Sequence, residues 1–147
     1  MTENTKTIDY WINLARQIAI EAHTGQFRND KTTPYIKHPE EVAKGVEKRL
    51  QPIAWLHDTI EDSKGKVTEA TLVEAGFPQY IIDAVVALTH IGSDTNMAYW
   101  QKIAKNADAV IVKLADIQCN LSDKPSDYAR EKYARAQKFF ASQGFSV

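Results

Sequence analysis

His57-Asp58-Thr59-Ile60-Glu61-Asp62 puts an imidazole and three carboxylates into one short segment. On a helix each residue advances about 100°. His57 and Glu61 then fall on one line and Asp58 and Asp62 on the next, while Ile53, Leu56 and Ile60 occupy another sector. Clustered carboxylates repel, and burying them without a positive partner is costly. A divalent cation resolves both problems. The alternative is a solvated acidic helix end, where the repulsion is screened.

Two further residues bear on that choice. His38 sits in Pro34-Tyr35-Ile36-Lys37-His38-Pro39, at a loop-to-helix junction. Asp116 lies in Val112-Lys113-Leu114-Ala115-Asp116-Ile117-Gln118-Cys119-Asn120, within the most apolar helical stretch of the chain. A carboxylate there needs a partner, either a basic side chain or a metal. Lys113 and Asn120 share its face. His38, His57, Asp58 and Asp116 are therefore the candidate ligands. A mixed nitrogen and oxygen set suits Mn²⁺, Fe²⁺, Co²⁺ or Zn²⁺. Such a metal would activate water and polarise a phosphoryl oxygen, leaving Glu61 and Asp62 for acid-base work beside it. His23 and His90 fall at helix ends and are not assigned to the metal. Trp11, Trp55 and Trp100 read as packing residues, and Cys119 as a small buried hydrophobe.

Helices must position these groups. Ile8, Trp11, Ile12, Ala15, Ile18, Ala19 and Ala22 recur at three- and four-residue steps, which predicts a first helix ended near Gly25. Residues 26–36 are rich in turn formers. Pro39 suits the first turn of a second helix continuing through Val42, Val46 and Leu50, and Pro52 the first turn of a third that ends between Asp62 and Gly65. Thr68 is the expected N-cap of a short helix running to Gly76, and Pro78 opens another through Leu88. A helix over Met97–Lys105 and a buried one over Ala107–Leu121 follow, although Val110-Ile111-Val112 alone could be a strand. After Pro125 a terminal helix runs to about Ser142. The expected fold is all-α, a single compact bundle of roughly seven to nine helices.

The totals are compatible with this. The chain has 147 residues, 44% of them hydrophobic, which suffices for a core without disulfides. The net charge of −1 comes from scattered charges, so no polybasic surface for nucleic acid or lipid is expected. The single cysteine, the polar start and the lack of a long apolar stretch lead to an expected cytoplasmic residence with no membrane partner.

Four motifs in order then resemble one family. Gly25-Gln26-Phe27-Arg28, Pro34 to Pro39, His57 to Asp62, and Val112 to Asp116 with Asn120 look like the hydrolase domain of RelA/SpoT proteins, within the HD superfamily of phosphohydrolases. The match covers about residues 7–123, with the terminal helix at 125–142 beyond it, and the whole of 1–147 is read as one HD-type domain. The resemblance implies a stand-alone small alarmone hydrolase, similar to the metazoan SpoT homologue. It would cleave ppGpp and pppGpp at the 3′-diphosphate, with Mn²⁺ as the working metal. It further implies His38, His57, Asp58 and Asp116 as ligands, Glu61 and Asp62 as the pair that activates water, and Arg28, Asn120 and Lys31 as substrate contacts. Arg130 and Tyr133 on the terminal helix are additional candidates for nucleotide contact. Two other readings remain open at this point: the same chemistry on adenosine alarmones or NADPH, and a noncatalytic alarmone-binding module.

Overall fold

The computed structural model describes residues 6–147. Helix α1 (Ile8–Ala22) starts where the Thr7 hydroxyl accepts a hydrogen bond from the Tyr10 N–H at 3.2 Å. It buries Trp11, Ala15, Ala19 and Ala22, the stripe its spacing requires. Gly25 follows with φ 84°, a left-handed conformation that only glycine adopts without strain. The loop after it is pinned by one antiparallel bridge, Phe27 to Pro34.

The remaining helices are α2 (Lys37–Lys44), α3 (Gln51–Leu56), α4 (Thr59–Asp62), α5 (Glu69–Glu74), α6 (Gln79–Ala87), α7 (Asn96–Ala104), α8 (Ala107–Leu121) and α9 (Asp127–Ser142), with a 3₁₀ turn at Lys48–Leu50. No strand occurs among the described residues. Local capping sets most starts. Thr68 and Thr71 form a reciprocal capping box on α5, and Asn106 and Ser126 cap α8 and α9.

Helix α3 is the hub, packed against α1, α2, α6 and α8. Ile53, Ala54, Trp55 and Leu56 are all buried. Helix α8 spans the other side, touching α2, α6, α7 and α9, with Ala109, Val110, Val112 and Ile117 in the core. Phe140 and Ala136 anchor α9. Trp11, Trp55 and Trp100 are core residues.

Two helical expectations are corrected. The second helix stops at Lys44, because the Gly45 N–H turns back onto the Val42 carbonyl (3.0 Å). Val46 lies beyond it, and Leu50 is buried from the 3₁₀ turn, so their spacing with Val42 reflects burial on one side rather than a continuous helix. The third helix is not continuous to Asp62 either. It breaks at His57 and Asp58. There the His57 Nδ1–H donates to the Ala54 carbonyl (2.6 Å), and the Thr59 hydroxyl donates to the Leu56 carbonyl (2.8 Å). These side chains engage carbonyls that a regular helix offers to the backbone.

Candidate metal centre and its cavity

His38 enters from the first turn of α2, His57 and Asp58 from the break between α3 and α4, and Asp116 from α8. The structure brings all four together. His38 Nε2 lies 2.6 Å from Asp116 Oδ1 and 3.9 Å from Asp58 Oδ2. His57 Nε2 lies 3.1 Å from Asp58 Oδ2 and 3.3 Å from Asp116 Oδ1. One donor atom each from His38, His57 and Asp58 falls within 4.8 Å of the others, a grouping able to hold a metal ion.

The surroundings fit a cation. His38, His57 and Asp116 are buried. The His57 Nδ1–H is committed to Ala54, so its tautomer leaves Nε2 as the inward atom, and that buried atom has no hydrogen-bond partner. Burial disfavours a charged imidazole, yet the carboxylates of Asp58 and Asp116 outweigh it and raise the His57 pKa well above its ordinary value. Burial would likewise push the two carboxylates up. His57 beside Asp58 and Lys113 beside Asp116 instead hold them below the usual range. The pocket thus demands positive charge. A divalent cation would supply it.

Outer contacts orient the set. The Tyr35 hydroxyl donates to Asp58 Oδ2, and burial beside that carboxylate raises the phenol pKa. Lys113 Nζ donates to Asp116 Oδ2 (3.0 Å), and Asn120 Nδ2 donates to Asp116 Oδ1 (3.2 Å). Cys119 Sγ lies 3.2 Å from His38 Nδ1. His23, at the end of α1, is buried, pairs through Nδ1 with Gln26 Oε1 (2.9 Å) and packs its ring 4.8 Å from that of Tyr35 at a tilt of 47°. Burial lowers its pKa.

A cavity of about 350 Å³ opens beside the cluster, with Asp58, Glu61, Lys113, Lys132 and Tyr133 among its lining. Glu61 Oε1 accepts the His90 backbone N–H at 2.9 Å. Asp62 is half-buried. Burial first, then Asp58 and Glu61, push its pKa up to about 6. A second cavity of about 420 Å³ shares Tyr133 with the first and is also lined by Asn29, Asn120, Lys124 and Ser126. Arg28 sits on the cluster's other flank, ion-paired to Asp123 (2.9 Å) and 3.4 Å from Asn120 Oδ1. Lys31 stands exposed on the loop with φ 65°, and Arg130 is exposed with Nη2 3.5 Å from the Pro125 carbonyl.

A solved structure, described as a metazoan ortholog of SpoT that hydrolyses ppGpp and plays a role in starvation responses, aligns over 97% of this chain and 85% of its own, with a TM-score of 0.69 and 21% identity. The two chains share a fold. A GTP pyrophosphokinase of Myxococcus xanthus is 30% identical over 110 residues, 71% of this chain. The chain spans 14% of that relative's length. No protein-family model matches it. Among the described residues, no helix is long and apolar enough to cross a membrane.

Sequence reasoning did not single out Tyr35, Lys132, His90 or Asn96 as site residues. Tyr35 carried a signal, since it lies in the motif that supplies His38. The other three reach the cavity from α9, from the turn after α6 and from the start of α7, which no local pattern links.

Proposed function

We propose that this chain is a single HD-type hydrolase domain of the RelA/SpoT kind, and that it converts ppGpp or pppGpp with water into GDP or GTP plus pyrophosphate. The observation that carries this reading is the buried His38, His57, Asp58 and Asp116 cluster opening directly onto a polar, lysine-lined cavity. The shared fold with a SpoT ortholog supports it. In this reading the four residues hold a divalent cation, with Mn²⁺ the working metal. When bound, the cation supplies Lewis acidity for activating water and polarising a phosphoryl oxygen.

The chain's own groups do the rest. The carboxylate of Glu61, fixed by the His90 N–H, accepts a proton from attacking water at the cavity wall. Asp62, its pKa pushed up to about 6, holds or returns a proton beside it. Asn120 and Tyr133 border the second cavity, which in this reading takes the nucleoside, and Arg28 adds positive charge next to Asn120. Lys31 and Arg130 belong to this reading as outer contacts that a bound nucleotide would draw in. The protein acts on a small nucleotide in the cytoplasm, without nucleic acid or membrane.

The test is product analysis by ion-exchange chromatography after incubation with ppGpp, with Mn²⁺ or with chelator. Metal-dependent GDP and pyrophosphate are expected. Turnover of pppApp or NADPH but not ppGpp would overturn the substrate, and tight ppGpp binding without turnover would overturn the enzyme.

A further inference from the structure

The cavity beside the cluster is lined by both signs of charge, Asp58 and Glu61 together with Lys113 and Lys132. Lys113 is already committed, by its 3.0 Å ion pair, to Asp116. Lys132 differs. Its side chain lies over the Tyr133 ring (5.3 Å), and among the described residues it has no carboxylate partner. It is partly desolvated, and burial together with the nearby Lys113 lowers its pKa. A cation held this way gains most when an anion arrives, since charge-assisted bonds are strongest where water is scarce. In the same lining, the Tyr99 hydroxyl is engaged, donating to the Leu88 carbonyl (2.6 Å).

We infer that Lys132 is a specificity residue that binds the distal phosphate of a diphosphate whose proximal phosphate lies at the His38, His57, Asp58 and Asp116 cluster. This rests on the proposed reaction for the identity of the diphosphate. It deepens that reading by making the site select a diphosphate over a monophosphate. The mixed lining explains the selection: a monophosphate at the cluster leaves Lys132 unpaired, whereas a diphosphate brings a second anionic group into the cavity that Lys132 lines.

Inorganic pyrophosphate and orthophosphate are the probes. Each is titrated calorimetrically into the protein in buffer with Mn²⁺ in excess, so that pyrophosphate does not strip the site. Lys132→Gln should weaken pyrophosphate about 10-fold, the worth of one charge-assisted hydrogen bond, and leave orthophosphate within about 2-fold. Lys132→Arg should restore most of the loss. Unchanged thermal melting of both variants establishes that they fold. Equal weakening of both anions, or of neither, would overturn the inference. Because no turnover is read, absence of ppGpp hydrolysis would count against the proposed function alone, and failure of this binding test against the Lys132 inference alone.

Discussion

At the residue scale, the proposed metal holding and proton transfer fall to different side chains. Asp58 contributes an oxygen to the cluster, while Glu61 stands at the cavity wall, bonded to the His90 N–H. Asp58→Ala should therefore abolish turnover together with Mn²⁺ binding. Glu61→Gln should lower turnover about 100-fold or more, in the range of a general base, with metal occupancy retained. Metal analysis beside the rate assay decides the matter, and parallel loss of metal in Glu61→Gln would make Glu61 a ligand instead.

Asp62 adds a stability prediction whose sign follows from linkage. Its folded-state pKa of about 6 lies above the ordinary 3.8, so the native state binds this proton more tightly than the unfolded chain does. The penalty is absent at pH below 3.8, grows as pH rises between 3.8 and about 6, and is fully present above. In chelator-treated protein, Asp62→Asn should melt higher than wild type at pH 7, and the difference should vanish near pH 3.5. A difference independent of pH would mean that the carboxylate is not strained by burial and by Asp58 and Glu61.

At the scale of elements, the break between α3 and α4 is what lets His57 and Asp58 face His38 and Asp116. A continuous helix would carry them past at the helical rise. Thr59 is buried and its hydroxyl holds the Leu56 carbonyl, so Thr59→Val removes a hydrogen bond at nearly constant volume. We expect a loss of about 1 kcal/mol in urea denaturation. A weaker Mn²⁺ affinity should accompany it, read by titration of the folded variant. Lower stability with unaltered metal affinity would show that the break does not depend on this contact.

This break also marks where sequence patterns stop informing. Helix α8 runs over Ala107–Leu121 as its apolar run predicts, and α5 starts at the expected Thr68 cap, because both signals are local. The four-residue cluster was legible because each member is a conspicuous type in an unusual setting. Its capture of backbone carbonyls was not, since His57 and Thr59 fit a helical pattern equally well. Lys132 was invisible for another reason: on α9 it reads as one more surface lysine, and only the packing of α7 and α8 against that helix turns it inward.

For the whole molecule, α9 and the cluster have separable duties. The candidate ligands come from α2, the α3–α4 break and α8, all packed on the α3 hub. Helix α9 supplies Lys132 and Tyr133 to the cavities but no ligand, and its hold on the body runs through the fully buried Phe140. Phe140→Ala should cost about 3–5 kcal/mol of global stability. If the loss is confined largely to α9 docking, the folded fraction keeps its Mn²⁺ affinity while KM for ppGpp rises severalfold, because the cavities lose Lys132 and Tyr133 while the candidate ligands stay in place. Loss of metal binding in step with substrate binding would instead make the bundle one cooperative unit, in which α9 packing and ligand geometry cannot be altered apart.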